Sequence, residues 1–351
     1  MGQRHPYEEA PSRAIWRRAV SDRRLEDLGE WHSPKFDIHG RPIATIGSCF
    51  AQHIARALRS LRYPVLDAEP APRALTAESR QRFGFEVYSA RYGNVYTARQ
   101  MLQLFDRATG AFVPSDHAWP LHGGFVDPFR PAIEPGGFDS VEAVAAEREG
   151  HLARVNELFS RAGVWVMTLG LTEAWVADAD DAVFPLAPGV AGGTYDPARY
   201  RWVTFSFADV VADLEGFFGR VRSRNPAARF IVTVSPVPLA ATASGQHVVV
   251  ATMASKATLR AACAYVAGLF DFVDYFPAFE IIAGAQARGA YFAADARTVT
   301  ATGAARVIEA FVQAYGLPAA EPLEAPAADV NVDVACEEAL LSTLGDSSCA
   351  S

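Results

Sequence analysis

Apolar and polar positions follow two patterns along the second half of the chain. Runs that are mostly apolar occupy residues 164–170 and 229–238, and residues 271–277 are predicted to form a short strand. Between the first two runs, residues 207–223 carry apolar side chains three and four positions apart, which is the spacing of an amphipathic helix. Strands that are apolar throughout and alternate with helices are typical of a parallel sheet covered on both faces. The pattern therefore predicts a three-layer α/β/α fold with a mostly parallel sheet.

The same reasoning predicts further elements on both sides of this region. They are a strand at 43–46, a helix at 50–58, a helix between Thr97 and Gly110, a helix after Ser140, and helices at 252–270 and 298–316. The Gly- and Pro-rich stretch 122–138 is predicted to be a loop, either a lid or a long ordered connection. We expect one domain over residues 1–320, with a helical and loop insertion at about 64–163, and a peripheral or mobile tail at 321–351.

Composition narrows the class of protein. The hydrophobic fraction of 50% and the charged fraction of 21% are those of an ordinary soluble globular protein. The formal net charge of −8 argues against a general nucleic-acid binder. Four scattered cysteines form no zinc-binding pattern and fit a reducing compartment. Neither a signal peptide nor an apolar run long enough to span a bilayer is present, so we expect a cytoplasmic protein with no membrane span.

Candidate chemistry lies just after the predicted strands, because ligands of an open parallel sheet bind beyond the carboxyl ends of its strands. Ser48 follows the first strand, and a segment that contains His247 follows the third. A serine at a strand-to-helix corner lies near backbone N–H donors, which stabilise a developing oxyanion. Ser48 is therefore a candidate nucleophile, with a helix cap as the alternative. The adjacent Cys49 is expected to be a small buried hydrophobe.

The stretch "GSCFA" at 47–51 resembles the motif that names the GSCFA-domain family, which belongs to the SGNH/GDSL-like hydrolase superfamily. Other stretches look like further signatures of that family: "NVYTARQ", "DPFRPAIEPGGF", "TLGLTEAW", "TVSPVPL", "HVVVATMASKATLRAA" and "YFPAFEII". The resemblance covers roughly residues 6–315. It implies an SGNH-hydrolase-like (flavodoxin-like) fold and serine-dependent hydrolysis or transfer of an O-acyl group. The implied substrate is a small-molecule or glycan acyl ester, and no metal or dissociable cofactor is needed.

The resemblance also assigns roles to residues. Ser48 matches the superfamily's nucleophile, and Thr172 stands where the third motif usually has an oxyanion-binding asparagine. The implied oxyanion and substrate-binding groups are the Ser48 N–H, Gly93, Asn94, Gly170, Thr172 and Glu173. Thr172 and Glu173 have an alternative role, which is to hold the loop after the second strand in place.

The superfamily's last motif, Asp-x-x-His, aligns with Asp295–Thr298, so the histidine that would activate the serine is absent. A serine hydroxyl is a poor nucleophile unless a base takes its proton. His247 is the preferred substitute base and His122 the second choice, while His53 is expected only to support its helix. Glu173 is a third candidate if burial raises the pKa of its carboxyl.

Two polar residues near these motifs keep alternative interpretations. Asp295 without its histidine is either part of the site, a helix cap or an ion-pair partner of Arg297. Lys256 either binds an anionic group of the substrate or is a solvated lysine.

Two functions from different classes fit these observations. The first is an O-acyl esterase or acyltransferase that works through an acyl-enzyme at Ser48, which the Gly-Ser corner favours. The second is a non-catalytic SGNH-like binding or scaffolding protein, for example in polysaccharide metabolism, which the missing histidine favours.

Overall fold

The computed structural model describes residue 5, residues 7–317 and residues 340–341. The predicted tail at 321–351 lies outside the described residues, apart from positions 340 and 341. The strands are β1 (Ile43–Gly47), β2 (Trp119–Leu121), β3 (Gly124–Val126), β4 (Val164–Leu169), β5 (Glu173–Ala177), β6 (Val183–Phe184), β7 (Tyr200–Thr204), β8 (Arg229–Val234) and β9 (Val273–Tyr275). The helices are α1 (Ala51–Ser60), α2 (Ala77–Arg82), α3 (Ala98–Ala108), α4 (Val141–Arg161), α5 (Phe207–Arg224), α6 (Val248–Leu269), α7 (Ala278–Ala283) and α8 (Ala301–Ala314).

The central sheet contains four parallel strands in the order β1-β4-β8-β9. Val164 of β4 pairs with Ile43 on one side and with Arg229 on the other. All four strands were predicted from their apolar runs, and the predicted α/β architecture with a parallel sheet flanked by helices is confirmed. Since the strands are parallel, their carboxyl ends lie along one edge, where the chain continues as Ser48, Gly170, Ser235 and Phe276.

Alternate side chains of β4 enter two separate hydrophobic cores, as the two-residue period of a strand requires. Trp165 and Met167 pack with side chains of α3, α4, α5 and α6. Val164 and Val166 face the opposite side and pack with α1, α7 and α8. Helices α3 and α4, which the sequence suggested were part of an insertion, therefore cover one face of the sheet. The single domain over residues 1–320 stays a prediction.

Helix boundaries follow the expected caps. Thr97 and Gln100 form a capping box at the start of α3, and the Ser140 side chain accepts a hydrogen bond from Ala143 N at the start of α4. Helix α6 begins earlier than predicted because His247 caps it. Near the start of the described chain, Ser12–Ala14 form a 3₁₀ turn and Arg17–Ser21 form a π turn.

Two small antiparallel sheets were not predicted. Strands β2 and β3 form a hairpin, so the loop predicted at 122–138 is wrong for residues 124–126. Strands β6, β5 and β7 form a second sheet in that order. The strands of the hairpin have three residues each and β6 has two, which is too short for periodicity to distinguish a strand from a loop.

None of the described helices is both long and apolar enough to cross a bilayer. Within the same residues, no group of three or more His, Cys, Asp or Glu side chains is arranged to hold a metal ion.

Candidate active site

Gly47 allows the backbones of β1 and β4 to come close together at the edge of the sheet. Its φ is +147°, and a Cβ at this position would collide with Thr168 O and lie 2.7 Å from Thr168 N. The next residue, Ser48, donates its N–H to Thr168 O at 3.0 Å. The predicted use of the Ser48 N–H as an oxyanion donor is therefore wrong, because this hydrogen extends the β1–β4 ladder.

Ser48 is fixed tightly at the corner between β1 and α1. Its side chain is not a helix cap, because α1 begins at Ala51 with Phe50 in the N-cap position and no side-chain cap bond. A Cβ on Gly170 would lie only 2.9 Å from the Cβ of Ser48, so a glycine at 170 makes room for the serine. The adjacent Cys49 is buried, as expected for a small hydrophobe.

The Ser48 hydroxyl is unusual among buried polar groups. The residue is 2% exposed, and its Oγ has no hydrogen-bond partner within the part of the chain that the structure describes. Most buried hydroxyls are hydrogen-bonded, because an unpaired one loses its water without compensation. The fold therefore leaves this oxygen free to interact with a ligand that enters the site.

Asn94 lies beside Ser48 with its amide orientation fixed. Tyr88 Oη lies 2.5 Å from Asn94 Oδ1 and 3.1 Å from Ser48 O. Gln52 Nε2, from the first turn of α1, lies 3.3 Å from the same Tyr88 oxygen. These contacts turn the carbonyl end of the Asn94 side chain towards Tyr88 and its NH₂ group away from Tyr88.

Gly93 gives the chain the bend that brings Asn94 to the corner. Its φ of +67° lies in the left-handed region, and two residues later Val95 donates its N–H to Gly47 O at 2.9 Å. The structure thus brings two of the predicted oxyanion residues, Gly93 and Asn94, next to Ser48.

The backbone N–H groups of Gly170, Leu171 and Thr172 form structural hydrogen bonds. Gly170 N and Leu171 N both donate to Tyr96 O, at 2.8 Å and 3.3 Å, and Thr172 N donates to Ser255 Oγ at 2.9 Å. The Thr172 hydroxyl lies 3.3 Å from that of Thr204 on β7. Thr172 therefore joins the loop after β4 to α6 and to the small sheet, which is the alternative, loop-holding role considered for it.

Glu173 holds the segment between β8 and α6. The Thr242 hydroxyl lies 2.7 Å and 2.9 Å from its two carboxylate oxygens, and Trp202 Nε1 donates to Oε2 at 3.2 Å. The carboxylate therefore positions neighbouring loops, and its role as a base stays a prediction.

Lys256 is buried in the same region. It is 2% exposed, so the interpretation of a solvated lysine is wrong. Its Nζ lies 2.5 Å from the carbonyl oxygen of Gly170, the residue that packs against Ser48. The residue before it, Ser255, holds Thr172 N. One turn of α6 therefore brings an amine and a hydroxyl to the loop after β4.

The histidines proposed as bases lie at exposed positions. His247 Nδ1 accepts a hydrogen bond from Val249 N at 3.2 Å, as the N-cap of α6. His122 is in the turn between β2 and β3. Neither forms a hydrogen bond with Ser48 Oγ, and their catalytic roles stay predictions. The His53 ring packs at a tilt against that of Phe50, with the ring centroids 5.3 Å apart, and burial together with the charge of Arg56 lowers the pKa of His53 to about 4.

Asp295 closes a turn immediately before α8. Its Oδ2 accepts a hydrogen bond from Thr298 Oγ1 at 2.6 Å, and its Oδ1 accepts from the backbone N–H groups of Arg297 and Thr298 at 3.0 Å and 2.9 Å. These bonds lower the pKa of the carboxyl group. The Arg297 side chain reaches Pro238 O, just beyond β8, so this turn lies near the same edge of the sheet.

A family model described as the GSCFA family matches residues 42–311, which is more than half of the chain. The chain belongs to the GSCFA family. No curated protein and no solved structure matches it. The family match includes the corner at Ser48, the Asn94 segment, the loop after β4, Lys256 and the turn at Asp295–Thr298.

Three residues of the GSCFA site were not predicted. Tyr88 and Gln52 orient Asn94, and Ser255 holds Thr172 N. Gln52 lies four positions after Ser48 on the predicted helix, and Ser255 directly precedes Lys256, so both had a positional signal. Tyr88 had none, because it comes from an irregular segment whose path the sequence does not indicate.

Proposed function

We propose that this GSCFA protein is an SGNH-like O-acyl esterase or acyltransferase that forms an acyl-enzyme at Ser48. The single observation that carries the proposal is the Ser48 hydroxyl. It is an enclosed, unpaired oxygen at the carboxyl edge of a parallel sheet, beside a fixed amide and near a buried amine. A hydroxyl with only a structural role would be expected to have a hydrogen-bond partner.

In the proposed reaction, Ser48 Oγ attacks the carbonyl carbon of an O-acyl ester and transfers its proton to a base. The carbonyl oxygen becomes an oxyanion that the Asn94 amide and the Gly93 N–H stabilise. When the tetrahedral intermediate collapses, the ester C–O bond breaks and the leaving alcohol takes the proton from the base. Water then hydrolyses the acyl-serine, or an acceptor alcohol takes the acyl group.

Lys256 is the base that the geometry supports best. It lies near Ser48 through their shared neighbour Gly170, whereas His247 is at an exposed helix start. An amine accepts the serine proton only in its neutral form, so this role requires an uncharged Lys256 during the reaction.

The choice of residue type supports the same assignment. The sequence has two lysines, Lys35 and Lys256, among its 32 Lys and Arg residues. An arginine stays protonated and cannot act as a base. A lysine therefore stands at this buried position in a chain that otherwise uses arginine almost everywhere.

Substrate entry requires movement of the loops around Ser48. Tyr96, Leu171 and Leu239 form a small apolar cluster with Ala251 of α6, and Tyr96 and Ser48 both contact Gly170. All three large side chains come from connecting segments rather than from the sheet, and such segments commonly open to admit substrates. An ester must displace part of this cluster before Ser48 can attack it.

The second candidate function is a binding or scaffolding protein with an SGNH-like pocket. One observation favours it: Thr298 hydrogen-bonds Asp295 in the turn where the resemblance places an imidazole, and a threonine hydroxyl cannot serve as a base at neutral pH. In that case the Ser48 hydroxyl would bind a ligand without reacting.

Labelling with a fluorophosphonate probe and mapping of the adduct by mass spectrometry tests the proposal. We expect an adduct on Ser48 that disappears in Ser48→Ala. The matched control is Ser235→Ala, because Ser235 follows β8 as Ser48 follows β1 and is equally buried, but its Oγ accepts a hydrogen bond from Val237 N. Failure to label the folded protein at Ser48, together with saturable glycan binding, would support the second function instead.

A further inference from the structure

A second polar site lies inside the protein, in a cavity that Asn94 also lines. It is a cavity of about 20 Å³ whose polar lining includes Gln100, Arg107, Arg130 and His151. A cavity of that size holds one water molecule or one monatomic ion. None of these four side chains has a role in the proposed acyl transfer.

Arg107 is the unusual member of this lining. It lies on α3 and is 8% exposed, yet its buried Nε and Nη2 have no hydrogen-bond partner and its side chain forms no ion pair with any residue that the structure describes. Its guanidinium stacks on the ring of Phe129 at 3.7 Å. Burial lowers the pKa of Arg107 to about 9. A buried guanidinium without an acceptor is costly, so an acceptor from outside the chain would stabilise it.

The nearby carboxylates are already engaged. Asp127 Oδ2 accepts hydrogen bonds from Arg130 Nε at 3.0 Å and from Arg148 Nε at 3.2 Å. Glu147 is bonded to Arg130 and, at 3.0 Å, to Arg91. Acceptors that would neutralise Arg107 are thus committed to other arginines of the same cluster.

Gln100 and His151 add one donor and one acceptor to the cavity. Gln100 Oε1 accepts from Tyr96 N and from Thr97 N, both at 3.0 Å, which leaves the amide NH₂ as its donor group. His151 Nδ1 lies 2.8 Å from Glu69 Oε2, and its Nε2 has no partner. Burial and the charge of Arg130 lower the pKa of His151 to about 4, so at neutral pH its Nε2 is an acceptor.

We propose that this cavity binds one monatomic anion of the size of chloride, held by the N–H groups of Arg107 and Gln100. The charge of Asp127 already acts on Arg107, but the anion supplies the hydrogen-bond acceptor that the committed carboxylates do not give to it. A single water molecule is the competing occupant, because it would accept from Arg107 and donate to His151 Nε2.

Bromide is the direct probe. Crystals of the full chain grown or soaked in sodium bromide are expected to show an anomalous bromine peak in the cavity, within contact distance of Arg107. An electron-density peak in the cavity without an anomalous signal would indicate a water molecule and would overturn the proposal. Anomalous peaks on the surface and none in the cavity would indicate an adventitious ion only, and this result would also overturn the proposal.

A solution measurement provides the second arm. At fixed ionic strength, replacement of methanesulfonate by chloride should raise the Tm of the wild-type protein in a saturable manner, because the larger anion does not fit. Arg107→Met should abolish this chloride-specific rise. Arg154→Met is the matched control, since Arg154 is exposed on α4 and its ion-pair partner among the described residues is Glu157. An equal response of wild type and Arg107→Met contradicts the proposal, and the bromide experiment on the wild type stands even if Arg107→Met does not fold.

Discussion

At the scale of single residues, the site combines a hydroxyl, an amide and an amine at the edge of one sheet. Ser48 Oγ lacks a partner, Asn94 is oriented by Tyr88, and Lys256 contacts the carbonyl of Gly170. The side chains of Asn94 and Lys256 are each held in place by a neighbouring residue. The assignment of roles therefore rests on which group takes the serine proton.

Substitution of Lys256 by methionine removes the amine and keeps a long unbranched apolar side chain, so it tests the amine separately from packing. We expect Lys256→Met to slow fluorophosphonate labelling of Ser48 by about 100-fold or more, the contribution of a general base. Lys35→Met should leave labelling unchanged, because Lys35 Nζ binds backbone carbonyls at the end of α6.

The two lysines also give two signals in an NMR spectrum of protein labelled with [¹³Cε]lysine, and Lys35→Met assigns them. If Lys256 takes the proton of Ser48, its amine must be neutral at the pH where Ser48 is labelled. An ammonium there, or unchanged labelling of Lys256→Met, would remove Lys256 from the mechanism.

The turn at Asp295 offers a test of the superfamily resemblance. In the Lys256→Met background, Thr298→His should restore labelling of Ser48 at least tenfold, because an imidazole would replace a hydroxyl that already contacts the Asp295 carboxylate. Thr298→Asn is the control, since an amide cannot accept the proton. If the histidine variant gains nothing, the Asp-x-x-His motif does not align with this turn.

At the scale of elements, the site depends on the close approach of β1 and β4. Gly47→Ala should destabilise the protein by roughly 3 kcal/mol or more, because the added methyl group collides with the backbone of Thr168 and the φ of +147° is unfavourable. Gly110→Ala is the matched control. It also has a positive φ, of +75°, but no atom lies within 4 Å of its Cβ position, so we expect a loss of about 1 kcal/mol.

Urea denaturation of both glycine variants provides the comparison. Similar losses in the two variants would show that backbone conformation alone, and not the contact between the strands, makes glycine necessary at position 47.

The elements differ in how well the sequence predicts them. Strands β4 and β8 are buried on both faces, so their apolar runs are continuous and easily recognised. Strand β7 is partly exposed and mixed in character, and β2 and β3 are too short to show a period. Elements that form the core were therefore predictable, while those that frame the loops were not.

The site shows the same division. Ser48 and Gly170 follow core strands, so the rule about strand ends identified them. The orientation of Asn94 depends on Tyr88, which reaches it through a loop, and the burial of Lys256 depends on how α6 packs. Such contacts join positions far apart in the sequence, and no local pattern encodes them.

At the scale of the whole molecule, buried titratable groups link stability to pH. Burial lowers the pKa of His53 and of His151 to about 4, and it raises the pKa of Asp213 to about 6. Between pH 6 and 4 the unfolded chain binds about two more protons at the histidines and about one fewer at Asp213. The net difference of about one proton means that the free energy of unfolding falls by about 1.4 kcal/mol for each pH unit of acidification.

Urea midpoints measured from pH 7 to pH 4.5 test this slope. His151→Gln should flatten the curve, since glutamine does not titrate, whereas a wild-type stability that is constant over this range contradicts the burial of neutral histidines.

Capture of the acyl-enzyme shows whether Ser48 is the nucleophile. The protein is mixed with p-nitrophenyl acetate, quenched in acid and digested, and its peptides are analysed by mass spectrometry. We predict that Ser48 of the wild-type protein carries an acetyl group that is lost with time. The acetyl group should be absent from Ser48→Ala and strongly reduced in Lys256→Met. Acetylation confined to amino groups, with Ser48 unmodified at every time point, would contradict it.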